Sequence, residues 1–280
     1  MQRIGLVKKK SKKEMCRYTN KDHTFVICAY KESPYIEECL ASIMNQKILG
    51  QIIIATSTPN DYIMHLAQKY NIKMYVNEQG GEIAKDWNFA ISVVKTKLAT
   101  IAHQDDIYQP DYLTSILENI NRSYKPLIAF SDYGERRQEE IVYDSKLLKV
   151  KKRMLFLLRI KFLQNSIWVR RRILSIGSAI CCPSVTMVLE NLTQPVFVDG
   201  FKSNLDWEAW EKISRKRGSF VYCNKPLMLH RIHEASTTSE IIGDNIRIEE
   251  DYYMFCKFWP KWIAKILLCF YKEAEKSNKL

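Results

Sequence analysis

The sequence predicts an α/β domain built on a mainly parallel, mixed sheet flanked by helices, with a helical extension at its C-terminal end. Three observations carry that expectation. From His23 to Asp106, short β-branched runs alternate with amphipathic stretches of helical length, the pattern of βαβ units. Each run stops at a polar or turn-rich cluster, as strands do before a crossover. From Asp244 to Leu280 the pattern is helical throughout.

In chain order, "HTFVICAY" reads as a buried first strand, followed by "KESPYIEECLASIMNQ", in which Ser33 is placed to cap a helix with Pro34 at its first position. "QIIIATS" is the second strand and "YIMHLAQKYN" the helix after it. "IKMYVNE" is the third strand, a Gly-Gly turn opens the helix "EIAKDWNFAISVVKTK", and "LATIAHQDD" is the fourth strand. Open parallel sheets bind ligands beyond the carboxyl ends of their strands. The clusters "AYKES", "ATSTPND", "NEQGGE" and "HQDD" are therefore expected to converge on one crevice. Beyond it, "PLIAFSDYGE" reads as a strand entering an acidic turn, 146–172 as one or two helices, and "GSAICCPSVTMVL" as a strand after a Gly turn. "NLDWEAWEKISRKRG" reads as a helix stopped by Gly218, "SFVYCNKPLMLHRIHEAS" as a strand, and 244–280 as two amphipathic helices broken near Pro260.

At 280 residues, with 46% hydrophobic and 26% charged side chains, the chain suits a globular domain with a sizeable core. No apolar run approaches the roughly 18 residues that span a bilayer, and the first residues lack the apolar centre of a signal peptide, so the protein is expected in the cytoplasm. The eight cysteines include no C-x-x-C pair, which argues for reduced thiols and against structural zinc. The net charge of +12 is concentrated: Lys146 to Arg172 holds ten Lys or Arg residues and no Asp or Glu. Such clustering suits an anionic partner, and equally a helix with a basic solvent face. Nucleic acid is not expected, because no recognised binding module accompanies the charge.

Two adjacent carboxylates at a strand end repel each other unless a cation lies beside them, and hard cations prefer oxygen ligands. "QDD" is therefore a candidate Mg²⁺ or Mn²⁺ site bridging to a diphosphate, although Asp-Asp pairs also end ordinary solvated loops. In "HRIH", Arg231 and His233 share a strand face, where an arginine can fork onto a diphosphate and a histidine can complete a metal shell. Asp206 sits where a helix begins, a position equally natural for a first-turn charge.

Taken in order and spacing, "TFVICAYKESPYIEECLASIMNQ", "QIIIATS", "AKDWNFAI", "TIAHQDDIYQPDYL", "GSAICCPSVTM", "LDWEAW" and "HRIHEASTTS" resemble family 2 glycosyltransferases of bacterial cell-surface or capsular and exopolysaccharide glycans, with the Rossmann-like GT-A fold. The resemblance implies a nucleotide-sugar half over 23–110 and an acceptor half over 111–240; the residues themselves read as a basic leader over 1–22 and an amphipathic tail over 241–280. It implies that Ala29, Tyr30 and Glu32 cradle the nucleotide base, with Thr56 or Ser57 standing where relatives usually carry an Asp. Lys85, Asn88, Gln104, Asp106 and Arg231 would complete the nucleotide-sugar contacts, with Trp87 occupying the place of a common Arg. Asp105, supported by Asp106 and His233, would hold the metal; His103 replaces the first Asp of the usual D-x-D and would act as a hydrogen-bonding group. Asp206 would be the general base of an inverting transfer.

The reaction implied is sugar transfer from a UDP- or dTDP-type donor to a glycan or lipid-linked acceptor. A non-catalytic nucleotide-sugar-binding or scaffold subunit of a glycan-assembly complex is the alternative that the altered motifs permit. Trp259, Trp262, Ile266, Leu267 and Phe270, mixed with Lys257, Lys261 and Lys265, suit a helix lying on an anionic lipid surface. Peripheral attachment to the inner membrane face is the corresponding expectation.

Overall fold

The strands that open the chain are dense in β-branched and aromatic residues, and they form the parallel centre of one sheet. β1 (His23–Ala29) pairs with β2 (Gln51–Thr56) on one side and β4 (Leu98–His103) on the other, and β3 (Lys73–Val76) extends the sheet beyond β2. In this computed structural model residues 18–233 and 244–276 are described. Along β1 the side chains alternate between two buried faces. Phe25, Ile27 and Ala29 pack with Ile36, Leu40 and Ile43 of α1 (Ile36–Met44) and with Ile63 and Leu66 of α2 (Asp61–Lys69). Val26 packs with Ala90 of α3 (Ile83–Ser92). Covering both faces is what a near-continuous apolar strand requires.

The helix starts follow local chemistry. Asn60 caps α2 by accepting from the Ile63 amide at 2.9 Å. Ser33 does not cap α1: its hydroxyl takes the Tyr35 amide at 3.3 Å, and the helix begins only at Ile36. The Ser-Pro pair thus shapes a turn ahead of the helix.

The second half adds antiparallel neighbours. β8 (Val185–Val188) runs antiparallel to β4 and to β6 (Pro126–Arg137), and β9 (Ser219–Ile232) runs parallel to β6. β6 does not end in an acidic turn; it continues through Asp132–Glu135 and turns back only into β7 (Glu140–Val142). The β6–β9 register shifts where Ser131 faces Cys223 but Asp132 faces Pro226, since proline cannot donate to a regular ladder. Beyond the shift, Met228 and Leu229 pair antiparallel with the two-residue β5 (Ile107–Tyr108). α4 (Tyr112–Ile120) packs beneath β6 and β9.

The basic stretch folds as α5 (Lys146–Met154), two short 3₁₀ segments and α6 (Ile167–Leu174). It is not simply a solvated face. Arg170 is fully buried, its guanidinium bonded to the carbonyls of Gly218 and, at 2.7 Å, Lys216. α7 (Leu205–Ser214) buries Trp207, Trp210 and Ile213 as the periodicity predicts, but stops at Ser214, ahead of Gly218. Gly218 serves the strand that follows: at φ +149 it brings the backbone so close to Lys125 that a Cβ would lie 2.4 Å from the carbonyl oxygen.

α8 (Asp244–Cys256) and α9 (Lys261–Lys276) are separated at Pro260 and pack on the same core through Met254, Phe255 and Ala264. Trp259 and Lys257, expected on a lipid-facing side, point inward: the Trp259 indole donates to the Ser175 carbonyl at 2.7 Å and Lys257 pairs with Glu208 at 2.9 Å. Leu267 also packs against the core. No helix among the described residues is long and apolar enough to cross a membrane.

Candidate active site

Because β1, β2 and β4 are parallel and in register, with Ala29 opposite Thr56 and Cys28 opposite His103, their carboxyl ends open on one edge. Side chains stitch that edge together. Gln104 and the Tyr30 backbone exchange two hydrogen bonds, the Tyr30 amide donating at 2.9 Å and the Gln104 amide returning one at 3.0 Å. The Lys31 amide, at a residue with φ +53, donates to the Thr58 hydroxyl at 2.6 Å. Tyr30 is half exposed and Glu32 exposed, whereas Ala29 is buried. Thr56 is buried, with its hydroxyl accepting from the Thr58 amide at 3.1 Å.

Beside them, Asp86 of α3 is held on both carboxylate oxygens, by Ser57 at 2.7 Å and by Asn77 at 2.7 Å. Gly80 is required for this arrangement: a Cβ there would sit 2.2 Å from the Ser57 Cβ. Asn88 is turned away from a ligand role, since it donates to the Phe197 carbonyl at 2.8 Å and accepts from the amides of Val196 and Phe197 at 3.1 and 3.0 Å. Three of its four hydrogen-bonding positions are thus spent on one neighbouring segment. Lys85 is exposed and pairs with Glu82 at 3.5 Å. Trp87 stacks on His103 with ring centroids 5.1 Å apart and meets Phe197 edge-on at 5.0 Å. An aromatic wall therefore stands at the position that the resemblance gives to a common Arg.

The acidic pair is positioned by β5. Its antiparallel register with β9, Ile107 opposite Leu229, brings Asp106 beside His230 and Asp105 beside Arg231 one and two residues back. Asp106, with no exposed surface, accepts from His230 Nδ1 at 2.9 Å and from the Arg231 amide at 3.0 Å. Asp105 is bonded to His233 Nε2 at 3.0 Å through its carboxylate, and its carbonyl takes Arg231 Nε at 3.0 Å. Arg231 also pairs with Glu38 of α1 and lies 4.4 Å above the Tyr35 ring. His233 packs on the same ring at 4.9 Å. The expected set Asp105, Asp106, Arg231 and His233 is therefore one cluster. Glu38 on α1 and Tyr35 just ahead of that helix, neither marked by a sequence signal, complete it.

Burial works to raise the Asp105 carboxyl, yet the His103 charge and the His233 hydrogen bond outweigh it and hold it below the usual carboxylate range. Burial lowers the His103 imidazole despite both aspartates. His230 is opposite in sign: burial would lower it, but the Asp106 carboxylate raises it. The residues present fit a divalent cation. His103, Asp105 and Asp106 offer ligand atoms within 4.8 Å of one another, and His103 Nε2 and Asp106 Oδ2 are buried without a hydrogen-bond partner. An oxygen-rich set with one imidazole suits Mg²⁺ or Mn²⁺. His103 thus joins the cluster more closely than its expected hydrogen-bonding role required.

Asp206 lies at the first turn of α7, its carboxylate accepting from the Trp207 amide at 2.7 Å. Burial pushes its carboxyl up to about 6. Burial also pushes the Cys181 and Cys182 thiols well up, and both the Asp206 and Asp106 carboxylates add to the shift at each thiol. The "CC" of "CCPSV" thus lies within electrostatic reach of both acidic centres, and the thiols are too well protonated to be nucleophiles. Lys151 of α5 also reaches inward, donating to the Tyr133 hydroxyl at 2.9 Å and acting electrostatically on Asp206. Sequence reading placed it only in a basic run.

Residues 24–175 match the family model described as Glycosyl transferase family 2. The chain superposes on the crystal structure of S. aureus TarS 1-349 in complex with UDP-GlcNAc with a TM-score of 0.61, at 13% identity, over 92% of this chain and 73% of that one. It superposes on S. aureus TarS 1-349 with a TM-score of 0.57, at 12% identity, over 88% and 69% of the two chains. For S. aureus TarS the TM-score is 0.57 at 12% identity, over 88% of this chain and 42% of that chain. At such identities the likeness is one of fold. No curated protein matches the sequence significantly.

Proposed function

The chain belongs to glycosyl transferase family 2, and on that premise we propose that it transfers a sugar, with inversion, from a nucleotide-diphospho-sugar to a hydroxyl of a glycan or lipid-linked acceptor. The observation that carries the proposal is the pairing of two unlike acidic centres: Asp105 beside Asp106, its carboxyl held below the usual carboxylate range, and Asp206 with its carboxyl pushed up to about 6, with Cys181 and Cys182 within electrostatic reach of Asp106 and Asp206. Carboxylates kept at different acidities suit different tasks.

In this reading Tyr30 offers its exposed ring and Glu32 an acceptor to the nucleotide base, while Ser57, fixed by Asp86, borders the same pocket. A UDP- or dTDP-type donor fits those groups, and the UDP-GlcNAc complex of S. aureus TarS supports the UDP choice. Gln104 holds the Tyr30 loop against the end of β4, and Arg231 fixes the backbone of Asp105. Bound by Asp105 and Asp106 with His233 or His103, Mg²⁺ or Mn²⁺ would supply Lewis-acid stabilisation of the departing diphosphate. Asp206 takes the proton of the attacking hydroxyl, which approaches from the face of the sugar opposite the diphosphate. A carboxylate with affinity near 6 is still ionised at neutral pH and is a better proton acceptor than an ordinary Asp. A lipid-linked acceptor would bring the reaction to the inner face of the cell membrane, with the enzyme as a peripheral protein.

A thermal-shift screen of nucleotide sugars with and without Mn²⁺ tests the donor assignment, because a ligand that binds only the folded state raises the melting temperature. A metal-dependent stabilisation by one UDP- or dTDP-sugar is expected. No stabilisation by any nucleotide sugar would remove the reading. Binding without turnover on every acceptor class would instead favour a non-catalytic nucleotide-sugar-binding subunit.

A further inference from the structure

Two sets of large apolar side chains stand exposed on the helical part of the chain. Phe156 and Phe162, on the 3₁₀ segments between α5 and α6, are 56% and 74% exposed, and Trp168 on α6 is 66% exposed. On α9, Trp262, Ile266 and Phe270 recur every fourth residue and are 66%, 50% and 66% exposed. Such spacing places them on one helix face. The other face of α9 is already used, with Ala264, Leu267, Leu268 and Tyr271 packed on the core.

The two sets belong to adjoining elements. The Tyr271 ring lies against Gly177, where a Cβ would meet it at 2.9 Å, and Met154 at the end of α5 reaches within 3.6 Å of the same point. Arg172 of α6 stacks over Trp259 just before α9, at 4.6 Å. Exposed cationic side chains adjoin both sets along the chain, Arg153, Arg159 and Lys161 beside the first and Lys261 and Lys265 beside the second.

A second copy of this chain would bring the same positive charges face to face, in a protein of net charge +12. A surface that accepts aromatic side chains and neutralises Lys and Arg is an anionic bilayer: rings enter the boundary of headgroups and acyl chains while long cationic side chains stay at headgroup level. We infer that the α5–α6 segment and the outer face of α9 together form a docking surface for anionic phospholipid, with Phe162, Trp168, Trp262 and Phe270 entering the interface. The inference rests on the membrane-surface part of the proposed function and not on the transfer chemistry. It also replaces the expected lipid contact through Trp259 and Leu267, which are occupied internally.

The test is sedimentation of the full chain with vesicles of equal parts phosphatidylcholine and phosphatidylglycerol, and with pure phosphatidylcholine vesicles, at low and high salt. Binding to the anionic vesicles only, weakened by salt, is expected. Quenching of tryptophan fluorescence by lipids brominated on the acyl chain is expected to fall in Trp168→Ala and Trp262→Ala. Arg159→Glu and Lys161→Glu should each weaken partition roughly fivefold or more, the factor one cationic side chain contributes near an anionic surface. Phe162→Ser and Phe270→Ser should weaken it as well, and all these positions are exposed enough for the fold to tolerate the change.

Absence of binding at low salt, or equal binding by wild type and variants, overturns the inference. So does a concentration-dependent dimer in light scattering that the same variants abolish. A donor thermal shift measured on every variant separates the two claims: vesicle binding without a donor shift removes the donor reading alone, and a donor shift without vesicle binding removes the docking surface alone.

Discussion

Asp206→Asn should inactivate the enzyme and stabilise it, and the two effects should depend on pH in a linked way. The Asp206 carboxyl is moved from 3.8 to about 6 by burial. At 1.36 kcal/mol per unit, ionising this group in the fold costs about 3 kcal/mol. The sign follows from proton counting. Below 3.8 the group is protonated in both states and contributes nothing. Between 3.8 and about 6 the folded state holds the extra proton, so stability falls as pH rises, and above 6 the full cost is present. Asn cannot ionise, and its carbonyl can still accept from the Trp207 amide that Asp206 bonds at 2.7 Å. The variant's melting temperature should therefore equal that of wild type near pH 3.5 and exceed it by roughly 6–12 °C above pH 6.5, given some 2–4 °C per kcal/mol for a chain of this size class. Transfer should fall by about 10² to 10⁴, the usual contribution of a positioned base, while the donor thermal shift persists. Wild-type kcat/KM should rise with pH through an apparent value near 6. Calorimetry across pH and a coupled assay for released nucleotide measure both. A variant that transfers sugar at the wild-type rate, or a melting-temperature difference that does not vary with pH, would refute the assignment of Asp206 as a half-buried base.

Asp105→Ala should weaken donor binding at least about tenfold in Mn²⁺ or Mg²⁺ and leave it unchanged in chelator, as titration calorimetry would show. Asn88→Ala removes three hydrogen bonds to the 196–197 backbone and should cost about 2–3 kcal/mol in urea unfolding; a loss of donor affinity with unchanged stability would restore a ligand role to it. Gln104→Ala removes the reciprocal pair with Tyr30. It should raise the donor KM severalfold with little change in kcat, since it positions the loop and touches no reacting atom.

The parallel half of the fold is legible because each of its elements is announced locally. Phe25, Ile27, Ile53 and Ile54 report strands by β-branched or aromatic density, and Asn60 reports a helix start by its capping chemistry. What is hidden depends on pairing between distant segments. β5 is two residues long and exists because β9 offers it a ladder, so no local pattern marks it. The run of β6 through Asp132–Glu135 reads as an acidic turn because alternation cannot reveal that both faces are covered there; Asp132 is buried under a hydrogen bond from Tyr222 at 2.5 Å. In the candidate site, Asp105, Asp106, Arg231 and His233 are legible as chemistry-bearing residues at strand ends. Asn88, expected among the nucleotide-sugar contacts, shows the limit of such reading: a polar side chain near strand ends can as readily hold backbone, as Asn88 holds the amides of Val196 and Phe197. Lys151 is lost in a basic run because charge counting carries no direction.

The short ladder between β5 and β9 also governs when the site comes into being. Asp105 and Asp106 are made early in synthesis, and their partners His230, Arg231 and His233 more than a hundred residues later. Contacts of such separation form late, after the loop entropy between them has been overcome. A nascent chain that has emerged only as far as α7 can fold its parallel sheet and bury its first helices, yet its two carboxylates lack the histidines and the arginine that fix them. The geometry of the candidate site is thus withheld until the last strand is in place, and a chain stalled or clipped before Ser219 would lack the cluster at the sheet's edge.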